Sequence, residues 1–219
     1  MNRTDRYSGI LDPATLENAE VAVIGVGAIG RQIAIQLASM GVGNIQLIDF
    51  DIVNTDNLGS QGWTYSDIGL HKVNALAATL QAINPLCKVT ISNRRFHRSD
   101  DARHPVIFAC VDSMKIRKMM FESAVLKGHC QCFIDGRMGA ESFRAFMVTN
   151  DSAKKEYYQS TLYSDQEAFT GSCTARTTIY CSNIVAGHMT ALYSQFLRNI
   201  PAPKEIEGNV LANGTDAIY

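Results

Sequence analysis

Val21–Asp51, VAVIGVGAIGRQIAIQLASMGVGNIQLIDFD, reads as strand, glycine-rich turn, helix and strand in that order. Val21 to Ile24 form a short apolar run rich in β-branched residues. Gly25, Gly27 and Gly30 follow at G-x-G-x-x-G spacing, with Ala28 inside the turn, as the helical pattern Ile29, Ile33, Leu37 begins. Glycine permits the tight turn and the close approach of backbone to an anion, while free N–H groups and the positive end of the helix dipole attract phosphate. Gly41 and Gly43 end the helix, and Ile45 to Ile48 make the second strand. Asp49 stands at that strand's end, where a carboxylate accepts ribose hydroxyls. A nucleotide is the expected ligand. The turn alone suits NAD or FAD as well as ATP, and a glycine turn with no ligand is the plainer alternative.

At 219 residues the chain is long enough for one α/β domain, and a single unit over 1–219 is expected. Hydrophobic residues make up 46% and charged ones 19%, a balance that excludes disorder. A formal net charge of −1 gives no broad attraction for nucleic acid or an acidic membrane, so neither is an expected partner. The local cluster Arg94, Arg95, His97, Arg98 could make a basic patch, against the plainer reading of a solvated loop. The N-terminal MNRTDRYSGI has no apolar leader, and no stretch approaches the roughly 18 apolar residues of a membrane span, so a cytoplasmic location is expected. Six cysteines in such a chain are expected to be reduced, and none forms a C-x-x-C pair that would point to structural zinc. Cys110, Cys130, Cys132 and Cys181 fall in strand or helix patterns and read as core.

Residues 1–20 read as a lead-in arm, with Asp12-Pro13 opening a turn of helix that ends near Asn18. Ile52 to Gly69 is a long polar connection after the carboxyl end of a strand, where such sheets bind ligands. Ser66 or Asp67 is the expected cap of the next helix, which carries Val73, Leu76, Leu80 and Ile83 and stops at Asn84-Pro85. Lys72 rides on its first turn, where a cation either projects into solvent or meets an anion. Lys88–Ser92 and the apolar Val106–Val111 are the third and fourth strands, with Asp112 at the end of the latter. Ser113 caps a helix over Met114–Lys127, and Gln131–Asp135 is the fifth strand. This alternation over 21–136 predicts a doubly wound, Rossmann-like, mainly parallel sheet.

Over 137–219 the pattern changes. Glu141–Val148 alternates like an antiparallel strand, a second is expected around Tyr157–Tyr163, and Asn150–Lys155 between them reads as a turn. A crossover loop from Ser164 leads through GSCTAR to a long helix over Thr177–Arg198, and the last residues read as a loose tail.

The chain resembles the ThiF/MoeB/HesA and ubiquitin-activating (adenylating) enzymes over residues 6–150. The resemblance rests on RYS, VIGVGAIG, GVGNIQLIDFDIV, DNL with Gln61, GLHKV, INP, and CVDS with Arg117, in that order and spacing. It implies an enzyme that joins ATP to the C-terminal carboxylate of a small ubiquitin-like or sulfur-carrier protein ending in glycine, releasing pyrophosphate. It also implies a homodimer. By the same resemblance Asp49 holds the ribose with Asp51 beside it, Asn57 and Lys72 contact the phosphates, and Asp112 holds magnesium. Lys72 and Asp112 would then be the catalytic pair.

Two departures stand out. Gly9 and Ser60 occupy positions where the family has arginines acting on ATP, one of them reaching across the dimer. Arg31 and Arg137 are candidates to replace them, a surface salt bridge being the other reading of each. The family's paired C-x-x-C zinc motifs are also missing, which suggests a divergent branch. Cys173, at a helix start beside Arg176, is the candidate nucleophile for a thioester, against the plainer reading of a structural cysteine. Three rivals remain at this point: a non-catalytic nucleotide- or partner-binding homologue, adenylation of a peptide or other small carboxylate, and an NAD-dependent oxidoreductase.

Overall fold

The computed structural model describes residues 7–99, 103–163 and 177–219. Asp12 starts the first helix, α1 (Pro13–Glu17), because its carboxylate accepts the Thr15 N–H at 3.0 Å and Pro13 needs no partner for a missing N–H. β1 (Glu20–Ile24), α2 (Ala28–Met40) and β2 (Asn44–Ile48) follow where the periodicity puts them. α2 buries Ile29, Ile33 and Leu37 on one stripe and stops at Gly41, whose φ of +96° is the left-handed cap that glycine adopts without a Cβ penalty.

The polar connection over 52–69 is not plain loop. It holds α3 (Thr55–Gln61), closed by a reciprocal capping box between Asn54 and Asn57, and a single 3₁₀ turn over Tyr65–Asp67. α4 (Lys72–Ile83) begins one turn later than Ser66 or Asp67 could cap, with His71 at its N-cap. Asp67 instead accepts the Thr64 N–H at 2.8 Å.

β3 (Lys88–Ser92) and β4 (Val106–Ala109) precede α5 (Met114–Met120), which is capped by Ser113 as expected but passes into a π turn over Phe121–Val125. β5 (Cys132–Gly139) runs beyond Asp135, through the division at 136/137, and turns into the antiparallel β6 (Ser142–Val148). The stretch expected as a second antiparallel strand around Tyr157–Tyr163 is helical: α6 spans Ser152–Ser160, so Asn150–Lys155 is its cap and first turn. α7 (Ile179–Leu197) is the long helix. The expected loose tail is a hairpin, β7 (Glu205–Asn209) and β8 (Gly214–Ile218).

Among the described residues one sheet carries all eight strands in the order β3-β2-β1-β4-β5-β6-β7-β8, parallel through β5 and antiparallel beyond. α2, α4 and α7 cover one face with a core that includes Leu37, Leu76, Met189 and Tyr193. α5 and α6 cover the other, where Tyr158 meets the rings of Phe121, Phe133 and Phe146 at 5.0–5.5 Å.

Candidate functional site

Ile24 pairs with Ile48 of β2 and with Ala109 of β4, and Ile48 pairs with Ser92 of β3. The four parallel strands therefore end level, and Gly25, Asp49 and Cys110 leave the sheet together. β1 and β4 lead to helices on opposite faces, so a crevice opens between their ends. A cavity of about 470 Å³ occupies it.

The glycine turn forms its inner wall. Gly25 has φ +88° and donates its N–H to Ile48 O at 2.9 Å, and a Cβ there would lie 2.6 Å from the Cys110 carbonyl oxygen. A Cβ on Gly30 would lie 1.9 Å from the Gly25 oxygen, so Gly30 faces protein and is not in the cavity wall. Gly27 is different: it lines the cavity, and a Cβ on it would meet nothing within 4 Å. Two of the three glycines answer to packing, and the middle one leaves backbone open to a ligand.

Asp49 follows β2, and its two carboxylate oxygens accept the N–H groups of Val26 and Asp51, which ties the second strand's end to the glycine turn. Lys72 is buried, and its ammonium donates to the half-exposed Asp51 carboxylate at 2.9 Å. Its backbone N–H also donates to the Asp51 carbonyl, at 3.0 Å. The lysine of the first helical turn thus meets an anion at the cavity wall and does not project into solvent. Ala28, Asn57 and Asp112 complete the predicted residues that line the cavity, Asp112 with an exposed side chain.

Arg31 and Arg137 lie outside that lining. Arg31 rests over the Trp63 ring at 4.9 Å, where burial pulls its pKa down. Arg137 belongs to a buried network on β5: its Nε donates to Asp135 at 2.7 Å, and its other nitrogens hold the Thr161 carbonyl and hydroxyl at 2.9 and 3.1 Å. Among the described residues Arg31 makes no ion pair, and the ion pair of Arg137 with Asp135 is buried, not on the surface. Arg117 shares Asp135 and does reach the cavity wall.

Among the described residues the cations that do line the cavity, besides Lys72 and Arg117, are Arg94 and Arg95. They follow the end of β3, in the stretch read from sequence as a solvated loop. Arg95 places its guanidinium 4.0 Å from the ring centre of Phe50, the residue after Asp49. Their signal was position: a basic pair just past the carboxyl end of a parallel strand points into the crevice. Cys110 also lines the cavity, with a thiol that burial pushes up to about 12, which keeps it protonated.

The family model of the ThiF family matches residues 8–213. This chain belongs to the ThiF family. The Mycobacterium tuberculosis protein named probable adenylyltransferase/sulfurtransferase MoeZ is 33% identical over 125 residues, covering 55% of this chain and 32% of that protein. The Salmonella typhimurium molybdopterin-synthase adenylyltransferase is 34% identical over 113 residues, 48% of this chain and 44% of that protein. The Drosophila simulans ubiquitin-like modifier-activating enzyme 5 is 35% identical over 133 residues, 53% of this chain and 31% of that protein. In each case the matched stretch spans less than half of the curated relative. The crystal structure of E. coli MccB with ATP superposes with a TM-score of 0.79 at 18% identity, covering 99% of this chain and 71% of that one, a likeness of fold.

At Gly9 and Ser60, where the resemblance leads one to expect arginines, the chain has no charge to offer. Gly9 faces open space, and the Ser60 hydroxyl donates back to the Asp56 carbonyl at 3.2 Å on α3. Cys173 lies outside the described residues. Among the described residues no group of three or more His, Cys, Asp or Glu side chains could hold a metal.

Proposed function

We propose that this ThiF-family chain is an ATP-dependent adenylyltransferase acting on the C-terminal carboxylate of a small ubiquitin-like or sulfur-carrier protein. The observation that carries the reading is Gly27: a bare backbone position that faces the cavity it shares with the Lys72 ammonium and the carboxylates of Asp49 and Asp112. A glycine turn used only for packing would have no reason to leave its middle residue open.

Strand order supplies the layout. Neighbouring strands are roughly 4.8 Å apart, so the strand ends β4, β1, β2 and β3 form a row of stations along the crevice. In this reading the phosphates lie over Gly27 between Asp112 and Lys72, the ribose hydroxyls reach Asp49, and the base lies toward Phe50 and Arg95. Asn57 and Asp51 flank the phosphate and ribose stations. The substrate carboxylate attacks the α-phosphorus in line and pyrophosphate leaves, so the work of the protein is placement and charge stabilisation. Lys72 offsets the charge on the phosphate oxygens.

Asp112 suits magnesium, which is commonly held by one or two carboxylates together with substrate phosphates rather than by an all-protein cage. Bound there, the ion would neutralise phosphate charge. The reading includes a homodimer, as the resemblance implies, and a cytoplasmic setting, which suits the five described cysteines, all of them free. No helix among the described residues is long and apolar enough to cross a membrane.

ATP–pyrophosphate exchange tests the proposal, with carrier proteins, free peptides and small carboxylates as separate arms. Exchange with a carrier supports it, and exchange with a peptide or small acid alone moves the substrate class. ATP bound without exchange in any arm would leave a binding homologue, and quenching of nicotinamide fluorescence without ATP binding would leave the oxidoreductase.

A further inference from the structure

Asp112 stands on the short turn between β4 and α5, and its side chain makes no hydrogen bond or ion pair with another described residue. The direction of its Cα–Cβ bond is set by the backbone on either side. On the far side the Ser113 hydroxyl accepts the Ile116 N–H at 3.4 Å, and the Ser113 carbonyl accepts the Arg117 N–H at 3.1 Å. On the near side the Val111 carbonyl, part of the peptide plane that joins Val111 to Asp112, accepts the Nη2 group of Arg117.

The same guanidinium reaches the next strand. Its Nη1 donates to the Asp135 carboxylate and, at 3.1 Å, to the Gly136 carbonyl. Asp135 is fully buried, and its second oxygen takes Arg137 Nε at 2.7 Å and the Tyr158 hydroxyl at 3.0 Å. Arg117 is itself 7% exposed. Burying three charges in this way, those of Arg117, Arg137 and Asp135, costs desolvation energy, and well-packed apolar groups commonly serve stability as well. What apolar groups cannot do is hold the carbonyl before Asp112 at a fixed place relative to the end of β5.

We propose that Arg117 is a positioning residue: its planar fork clips the Val111–Asp112 peptide to β5, so that the Asp112 carboxylate is already aimed at a divalent cation carried by the nucleotide. This inference deepens the proposed function and rests on its assignment of Asp112. It follows from the geometry that Arg117→Lys keeps a cation beside Asp135 but loses the fork, since an ammonium on a flexible stem does not reproduce two planar donor directions.

The test measures binding of a non-hydrolysable ATP analogue by calorimetry, with and without Mn²⁺, alongside thermal unfolding. Wild type should bind more tightly with Mn²⁺, and Asp112→Ala should abolish that gain. Arg117→Lys should lose about tenfold of the Mn²⁺ gain, read as the ratio of its own affinities with and without the metal, the scale on which partners behind a metal ligand act. Should Arg117→Lys fail to fold, Arg117→Met removes the clip and leaves Asp135 paired with Arg137, and the same loss is expected. A full Mn²⁺ gain in the folded variant overturns the clip alone. No Mn²⁺ gain in wild type, or a gain that survives Asp112→Ala, removes the assignment of Asp112 and this inference with it.

Discussion

Lys72 and Asp51 are joined twice, ammonium to carboxylate at 2.9 Å and backbone N–H to backbone carbonyl at 3.0 Å. The second bond fixes where α4 begins, and the first holds the lysine against the cavity wall beside an anion that water can replace, since the Asp51 side chain is 46% exposed. Lys72→Ala should therefore cost only about 1 kcal/mol of stability, as for other partly solvated pairs. Exchange activity should fall about 10²-fold, the scale for removing one charge-stabilising donor. Urea unfolding and pyrophosphate exchange on the same preparation separate the two. Exchange within twofold of wild type would take Lys72 off the phosphates.

The glycines of the turn should separate binding from folding. Gly30→Ala puts a methyl group 1.9 Å from a backbone oxygen, so the helix must move away from the turn, and a loss at or above the roughly 1–3 kcal/mol of ordinary overpacking is expected. Gly27→Ala adds its methyl group to the cavity with no protein atom within 4 Å. It should fold with a much smaller change and lose at least about tenfold in nucleotide affinity, because the backbone can no longer approach phosphate. Equal losses of stability in both variants would show that the turn is a packing device throughout.

The parallel half of the sheet was legible because its elements carry strong local patterns. β1, β4 and the apolar stripe of α2 are buried, and buried elements show clean periodicity. The C-terminal part was harder for physical reasons. In α6 the adjacent Tyr157 and Tyr158 raise β propensity, but the Asp151 side chain accepts the Lys154 N–H at 3.1 Å and Tyr158 fills the core, so cap and packing override propensity. β7 and β8 have mostly half-exposed or exposed residues, so they show little hydrophobic signal. The Asn213-Gly214 pair, with Asn213 at φ +52°, was the hairpin cue that polarity masked. At the site, motif residues near the glycine turn were readable one by one. Arg94, Arg95 and Arg117 were not assigned, because their places depend on which strand ends are neighbours.

Arg95 over Phe50 lies at the β3 end of the crevice, two strands from the glycine turn. Arg95→Ala should weaken ATP, ADP and adenosine to a similar degree, by about tenfold, if the pair stacks against the base. A loss confined to ATP and ADP would instead put the guanidinium on phosphate. Calorimetric titration of the three ligands distinguishes these outcomes, and unchanged binding of all three would remove Arg95 from the site.

His188 on α7 stacks on Phe143 of β6, ring centres 5.2 Å apart, and burial lowers its pKa from the ordinary 6.5. The unfolded chain then takes up the proton more readily than the folded one. This histidine's contribution to stability is full above pH 6.5 and is lost as pH falls through the lowered folded value. Thermal unfolding from about pH 7.5 to about pH 5 should show a decline in Tm that is shallower in His188→Gln. Identical slopes would mean that the proton enters elsewhere.

A thioester step would need a thiolate, and the described cysteines are poorly placed to supply one. Burial pushes Cys110 and Cys130 up to about 12 and raises Cys87, Cys132 and Cys181 as well. If the chain carries an acyl group, Cys173 is the expected carrier: its thiolate would attack the acyl carbon of the acyl-adenylate, forming the thioester as AMP leaves. Intact-mass measurement after incubation with ATP and a carrier should then show one added carrier mass. Hydroxylamine should remove it, and Cys173→Ala should lack it while keeping pyrophosphate exchange. An adduct that persists in Cys173→Ala would move the nucleophile to another side chain. Exchange without any adduct would make this an enzyme that releases its adenylate directly to a partner.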